Sequence, residues 1–380
     1  MENSTMAFRT IAAVILLGAF CLADTASGQP GTPGESPAEA ASTAGSATPQ
    51  QRIRQTIREA YRLSQQAEAE GQYVEIIELL ETALADEAID ARSRSDAQRL
   101  KGWAHNRRGE ILAREGKENV ALIQFEQAVT LNPDHWKARY NRGVSYSLAG
   151  KIDEAIDELN RAIELKRNYA WSWFNRGEAF YALGQLRESI RDYSEAIRLD
   201  PETARFHYHR GHSYYRLREY QRAIDDFDAS IELDADDAVP YVYRGDAYFE
   251  TGRYAEALQN YRRALALEKD LGRAYMSVAW LLSTCPDEDM RNDEKAIAAA
   301  RRAIQLDGEQ DHRYLETLAA AYANAGDFAA AEEAQTKATE LAPEFAQSEC
   351  QARLELYAAG QPYRQQPIAP AGEWRSPRER

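Results

Sequence analysis

The sequence predicts an all-α fold in which antiparallel helix pairs stack into a superhelical solenoid that ends in a C-terminal capping helix. An Arg-Gly pair recurs every 34 residues in the 380-residue chain, with its glycines at Gly109, Gly143, Gly177, Gly211 and Gly245. If each unit starts seven residues before its glycine, positions 8, 20 and 27 are small, whereas position 24 and most residues at position 11 are large. Small residues at helical spacing let two helix backbones approach, and such repeats bury apolar surface only against their neighbours.

A second glycine divides most units into two helices. It follows the first by seven residues at Gly116, Gly150, Gly184 and Gly252, and glycine commonly ends a helix. The complete pattern resembles the tetratricopeptide repeat (TPR) family, whose small and large positions recur with a 34-residue period. Position 7 departs from that pattern, because arginine stands where the family more often has leucine.

The repeat pattern and its flanks predict the organisation of the chain. The predicted repeat units span 102–135, 136–169, 170–203, 204–237, 238–271, 272–310 (with an insertion at 285–292) and 312–345. A divergent helical or TPR-like unit is expected at 51–101, a capping helix at 346–360 and a flexible tail at 361–380. The segment 285–287 and the ending 356–364 resemble the closing module of some exported bacterial TPR proteins, a resemblance that names no activity.

The N-terminus predicts export. Arg9 precedes an uncharged apolar run at 11–23 and the small residues 26–28, which together are typical of a signal peptide at 1–28. An uncleaved anchor is the alternative, although the run is shorter than the roughly 20 residues of a usual membrane span. Residues 29–50 are mostly small residues and proline, so we expect a disordered linker there. The expected location is periplasmic or secreted, with membrane contact only through export or an uncleaved signal.

Composition and motifs restrict the functional class. With 46 basic and 61 acidic residues the net charge is −15, which disfavours nucleic acid and anionic membrane surfaces as partners. The chain lacks HExxH, GxSxG and CxxC motifs, so we expect neither an enzyme nor a cofactor. Cys285 follows the first helix of the sixth unit and Cys350 begins the predicted cap. A stacked array would separate these two places, which favours free thiols; a disulfide between them is the alternative.

The TPR resemblance implies a concave groove lined by the first helix of each unit, with positions 2, 5, 6, 9 and 12 facing a bound protein. The candidate groove residues are Trp103, Asn106, Tyr140, Trp171, Phe174, Glu178, Tyr181, Arg205, Tyr208, His212, Tyr215, Asp246 and Phe249. Aromatic residues are enriched in protein interfaces, although the same rings could instead pack against the next helix. Family members that clamp the C-terminal tail of a chaperone use lysine at position 5 and asparagine at position 9 of their first unit. Here the first unit has Asn106 and Glu110 at these positions, so we do not expect such a clamp.

The arginine at position 7 has a predicted structural partner at position 23 of its own unit. The position-23 residues are Gln124, Glu158, Asp192, Asp226 and Asn260. The planar fork of arginine suits carboxylate and amide acceptors in a partly buried setting. We therefore expect a ladder of contacts between the two helices of each unit.

Histidines provide the alternative to a protein-binding groove. His209 and His212 are three residues apart and share a helix face, and carboxylates stand at position 9 of the flanking units, Glu178 and Asp246. Imidazoles and carboxylates of this kind can bind a metal. The favoured function is a non-catalytic scaffold that binds an extended peptide or helix of a cell-envelope protein; the alternative is a periplasmic ligand- or metal-binding protein using His209 and His212. A non-catalytic subunit of an enzyme would have the same sequence features as the scaffold.

Overall fold

The computed structural model describes residues 47–366, which fall into two compact units, one ending at Leu199 and one beginning at Asp200. The predicted signal peptide, nearly all of the predicted linker and the tail from residue 367 lie outside these residues. Within 47–366 the regular structure is α-helix with a single 3₁₀ turn and no strand. The predicted all-α class is therefore confirmed. No helix in this part of the chain combines the length and apolar character that a bilayer crossing requires.

The N-terminal unit contains eight helices, and its last six form three antiparallel pairs. They are α1 (Pro49–Ser64), α2 (Glu70–Ala85), α3 (Ala91–Arg114), α4 (Glu118–Leu131), α5 (Trp136–Leu148), α6 (Ile152–Leu165), α7 (Ala170–Ala182) and α8 (Leu186–Leu199). The predicted boundary at 101/102 falls inside α3, because Asp90 caps this helix by accepting a hydrogen bond from the Ser93 N–H at 2.7 Å. Helix α1 begins inside the predicted linker, where Thr48 and Gln51 form a capping box.

The C-terminal unit contains nine helices, of which the first eight form four pairs. They are α9 (Ala204–Arg216), α10 (Tyr220–Leu233), α11 (Ala238–Glu250), α12 (Tyr254–Leu267), α13 (Gly272–Thr284), α14 (Asp293–Asp307), α15 (His312–Asn324), α16 (Phe328–Leu341) and α17 (Glu344–Ala358). The 3₁₀ turn Glu288–Met290 lies in the eight-residue segment predicted as an insertion. Helix α17 lies on the last pair, where Tyr357 is fully buried among alanines of α15 and α16.

The regular spacing of glycines has two different structural causes. At position 8 the helices touch: a Cβ added to Gly245 would lie 2.5 Å from Cε1 of the Tyr261 ring. At position 15 the backbone turns through the left-handed region, which glycine adopts without steric cost. Glycine has that positive φ at Gly116, Gly150, Gly184, Gly252 and Gly326. In the unit that begins at α9, Arg218 adopts the same conformation, with a φ of 60°.

The predicted arginine ladder is confirmed in four of its five units. The pairs are Arg142–Glu158, Arg176–Asp192, Arg210–Asp226 and Arg244–Asn260. The first unit differs, because its arginine, Arg108, lies 2.9 Å from Glu70 on α2. The predicted partner Gln124 contacts the ring of His105 instead, at 2.9 Å. This arginine could bind outside its own unit because the divergent N-terminal helices supply a carboxylate.

Candidate functional site

A cleft of about 660 Å³ lies within the C-terminal unit. Its walls come mainly from α9, α11, α13, α15 and α17 and from the residues after α17, with Tyr220 of α10, Tyr261 of α12 and Arg218 of the turn between α9 and α10. Helices α9, α11, α13 and α15 are the first helices of their pairs, which is the surface that the sequence predicted to bind. The aromatic side chains of the wall are Tyr215, Tyr220, Phe249, Tyr261, Trp280 and Tyr363.

Charged side chains of both signs line the same cleft. The five arginines are Arg218, Arg273, Arg313, Arg353 and Arg364, and the four carboxylates are Asp246, Glu250, Glu316 and Glu349. In a chain of net charge −15, this composition makes the cleft locally as rich in cations as in anions. Such a wall can pair with charges of either sign on a bound segment.

Two ion pairs among these charged residues hold the wall of the cleft together. Asp246 accepts hydrogen bonds from the Arg273 guanidinium and the Tyr261 hydroxyl, both at 2.8 Å. The Arg353 guanidinium donates to the Glu316 carboxylate. The Nε atom of Arg273 is buried and has no hydrogen-bond partner among the described residues.

Trp280 and Arg353 lie against each other and form a flat surface on one side of the cleft, which we call the shelf. The guanidinium of Arg353 lies 5.5 Å from the centroid of the Trp280 ring, a distance at which a cation is attracted to the ring face. The salt bridge to Glu316 keeps the guanidinium in this orientation. The ring of Tyr363 lies against the shelf, with its centroid 5.8 Å from that of Trp280 and 5.1 Å from the Arg353 guanidinium.

Residues 361–366 lie along the cleft, although the sequence predicted that a flexible tail begins at residue 361. The backbone N–H of Gln365 donates to the Thr284 carbonyl at 2.9 Å, and the Arg364 guanidinium donates to the Ser283 carbonyl at 3.0 Å. Ser283 and Thr284 end α13, where helix carbonyls lack partners within the helix. The side chain of Gln365 also contacts Glu250 at 3.4 Å, and burial together with the nearby Asp246 raises the pKa of Glu250.

The structure divides the predicted groove residues of the C-terminal unit into two groups. Tyr215, Asp246 and Phe249 line the cleft. Arg205, Tyr208 and His212 do not. The rings of Tyr208 and His212 stack with centroids 6.1 Å apart, and His212 also lies 4.6 Å from Tyr243.

In the N-terminal unit three predicted groove residues are buried. The exposed fraction is 1% for Asn106, 3% for Tyr140 and 1% for Phe174. Asn106 donates to Glu110 at 3.0 Å and accepts from Asn141 at 2.9 Å. Position 5 is therefore an interior position in these three units, because neighbouring helices cover it and leave almost no surface for a partner.

The other predicted residues of this unit are partly buried. The Trp103 ring meets Tyr73 edge-on at 5.8 Å, and Trp171 meets Phe174 edge-on at 5.4 Å. Glu178 accepts a hydrogen bond from Tyr193. Tyr181 is partly buried on the same helix, α7. Each retains some exposed surface, so a binding role stays a prediction for these four residues.

Among the described residues, one group of three potential metal ligands converges, and it does not include His209 or His212. It consists of His312, Glu316 and Cys350, whose ligand atoms lie within 4.8 Å of one another. The Cys350 thiol donates to Glu316 at 3.1 Å, and burial raises the pKa of this thiol to about 12. A protonated thiol and the neighbouring Arg353 cation favour a hydrogen-bonded network over a metal centre. Cys285 and Cys350 are both buried and free.

Several cleft residues were missed by sequence reasoning, notably Glu250, Arg313, Arg353 and Tyr363. Two of them belong to α17 and the segment after it, which the repeat register does not cover. The signal that could have identified Tyr363 is the ending 356–364, whose resemblance to a closing module was visible in the sequence.

Stacked helix pairs with a cleft on the first helices define a repeat protein of the α-solenoid class. The chain belongs to the tetratricopeptide repeat family. Models described as "TPR repeat" match 148–184, 177–218 and 245–278, and models described as "Tetratricopeptide repeat" match 104–135, 125–157, 204–237 and 312–345. Proteins of this family bind protein partners in general and typically act as non-catalytic scaffolds.

The solved structures that are similar to this chain include one with a TM-score above 0.5. The APC/C hetero-tetramer Cut9-Hcn1 matches with a TM-score of 0.54 and 17% identity, covering 79% of this chain and 55% of that one. Pseudomonas aeruginosa pilF matches at 0.49 and 18%, covering 58% and 97%, and MamA at 0.41 and 22%, covering 42% and 94%. At these identities the likeness concerns the fold alone. A comparison with curated proteins finds no match.

Proposed function

We propose that this protein is a non-catalytic scaffold that binds an extended segment of a partner protein in the cleft of its C-terminal unit. The observation that carries the proposal is that an extended segment of the same chain already forms one side of this cleft, with a main-chain hydrogen bond from Gln365 to Thr284. This side of the unit therefore accepts an extended chain, because the carbonyls that end α13 have no partners within the helix and can bind main-chain donors.

The chemistry of the wall supports a protein partner. Tyrosine, tryptophan and arginine are the residues that contribute most binding energy in protein interfaces, and the cleft combines all three. Arg218 and Arg313 are exposed at its edge, where they would orient charged groups of the partner. The volume of about 660 Å³ suits a few side chains rather than a folded domain, so a short segment is the expected occupant.

We further propose that the protein acts in the cell envelope, periplasmic or secreted, with an envelope protein as partner. The support is the pattern of residues 1–28, which has a basic start, an apolar core and small residues at its end. Fractionation of cells with N-terminal peptide sequencing tests this location. A cytoplasmic chain that retains residues 1–28 would contradict it.

Cross-linking in intact cells, read by quantitative mass spectrometry, tests the binding site. Arg218→Glu reverses a charge at the cleft edge, and Arg222→Glu reverses an exposed charge on α10, away from the cleft. We expect a partner to be captured by the native chain and by Arg222→Glu, and its capture to fall at least about fivefold with Arg218→Glu. Equal capture by all three chains would show that the cleft is not the binding site.

Metal binding at His209 and His212 has less support, because the rings of both residues contact Tyr208. Thermal melts with and without zinc or copper separate this alternative from the scaffold. A rise in melting temperature that His209→Ala removes would favour the alternative.

A further inference from the structure

We propose that the shelf formed by Trp280 and Arg353 is a recognition site for an aromatic side chain in an extended segment, and that Tyr363 occupies this site in the unbound chain. A partner segment of the same chemistry would bind by displacing residues 361–366. This inference rests on the proposed function and adds to it the kind of segment recognised and a competing segment within the chain.

The ring of Tyr363 is held by contacts that depend on its aromatic character. It lies 5.8 Å from the Trp280 ring at an interplanar angle of 41°, and 5.1 Å from the Arg353 guanidinium. Its hydroxyl contacts Gln365 of the same segment at 2.8 Å. The ring lies on the shelf and the hydroxyl also comes close to the Arg353 guanidinium. Phenylalanine would keep the ring contacts, so we expect it to keep most of the binding.

The remaining contacts of the segment are to main-chain groups or are long. Gln365 and Arg364 donate to the carbonyls of Thr284 and Ser283, and the side-chain contact of Gln365 to Glu250 is 3.4 Å. Carbonyls at a helix end accept from any extended segment that reaches them. Selectivity at this end of the cleft must therefore come mainly from the aromatic ring.

The segment is placed to compete with a partner. It follows α17 directly, after Gly360, whose φ of +68° turns the chain. A short intramolecular connection gives a segment an effective concentration in the millimolar range. A weakly held segment at that concentration still lowers the apparent affinity of any partner that needs the same place.

Fluorescence anisotropy with a synthetic peptide tests this competition on the full chain. The probe is a fluorescein-labelled peptide of residues 360–368, and the receptor is full-length protein carrying Tyr363→Ala. We expect this variant to bind the probe at least about fivefold more tightly than the native chain does, because the internal competitor is weakened. Tyr214→Ala, which alters an aromatic residue outside the cleft, should bind like the native chain.

Changes in the peptide test the aromatic requirement without altering the protein fold. Replacing its tyrosine by phenylalanine should keep the affinity within about twofold, and replacing it by alanine should weaken binding at least about tenfold. Adding Trp280→Ala to the receptor should abolish binding of the tyrosine peptide. Equal affinity of the native and Tyr363→Ala chains, or equal affinity of the tyrosine and alanine peptides, would overturn the inference.

The two experiments separate this inference from the proposed function. Loss of partner capture with Arg218→Glu, together with no selectivity for the peptide ring, would leave the scaffold function and remove the aromatic site. The opposite result is peptide binding that requires the ring, together with partner capture that Arg218→Glu does not change. It would support a site for the chain's own segment and contradict the proposed binding of a partner in the cleft.

Discussion

The guanidinium of Arg176 binds both carboxylate oxygens of Asp192, through Nε and one terminal nitrogen, each at 2.7 Å. Its other terminal nitrogen donates to Asn160 at 2.6 Å. One side chain of α7 thus joins α8 of its own pair to α6 of the preceding pair. This three-way contact explains why arginine suits position 7, where a leucine could fill space but could not bind two polar neighbours.

Arg176→Lys should lower the free energy of unfolding by about 1–3 kcal/mol, because a single ammonium cannot replace the bidentate pair and the contact to Asn160. Urea denaturation measures the change. The matched control is Arg191→Lys, whose pair with Glu188 is exposed and 3.7 Å long, so its effect should stay below about 0.5 kcal/mol. Equal effects of the two variants would mean that the ladder adds nothing specific.

Gly245→Ala should destabilise the chain by about 1–3 kcal/mol, since the new methyl group would lie 2.5 Å from the Tyr261 ring. Gly71→Ala provides a control of opposite sign. Gly71 lies within α2 and a Cβ there meets nothing within 4 Å, so alanine should stabilise by up to about 1 kcal/mol. Thermal and urea unfolding of both variants measure the two signs. Stabilisation by Gly245→Ala would contradict the packing described here.

Arg218→Gly should stabilise the fold by up to about 1 kcal/mol, because it removes a non-glycine residue from the left-handed region at a φ of 60°. The reciprocal change, Gly252→Arg, places a side chain at a φ of 78° and should destabilise by about 1–2 kcal/mol. Melting temperatures of the two variants provide the measurement. If Arg218→Gly lowers the melting temperature, contacts of the arginine outweigh the backbone strain.

Stability should fall in mild acid partly because of His135. This residue caps α5: its Nδ1 accepts a hydrogen bond from the Ala138 N–H at 3.1 Å, which requires the neutral ring. Burial lowers the pKa of His135 below its usual 6.5, although Glu110 acts in the opposite direction. A lowered folded-state pKa means that the stabilisation is present above pH 6.5 and is lost as the pH falls towards the folded-state pKa.

His135→Asn tests this dependence, because asparagine also caps helices but does not titrate. Free energies of unfolding from urea curves at pH 7.5 and 5.5 should differ by less in His135→Asn than in the native chain. His135→Ala should cost about 1 kcal/mol at pH 7.5 through loss of the cap. Identical pH dependence in the native and His135→Asn chains would show that another group causes the acid sensitivity.

Sequence reasoning predicted most where the interacting residues belong to one repeat. The contact of Gly245 with Tyr261 and the pairing of Arg210 with Asp226 both span 16 residues, so the 34-residue register places their partners directly. The first unit is the exception, because Arg108 binds Glu70 on α2, a helix that lies outside the 34-residue register. Sequence patterns resolve such pairs only when both members share the repeat.

The candidate site was less predictable, because burial at a repeat position depends on what covers it. Position 5 was expected to face a partner, yet Phe174 is buried. Position 9 of the sixth unit carries Trp280, which lines the cleft beside Arg353. Both positions recur with the same period, and only the neighbouring helices distinguish the buried ring of Phe174 from the partly buried ring of Trp280.

The sequence by itself determined that this chain folds as paired helices with a 34-residue period, because that period follows from local spacing, glycine turns and contacts within a repeat. Only the tertiary structure showed which side chains form the cleft and that the segment after α17 forms one of its sides. The hydrogen bond from Gln365 to Thr284 joins residues far apart in the sequence. No local pattern encodes such a contact, because it depends on where the chain leaves α17 and on which carbonyls at the end of α13 have no partner within the helix.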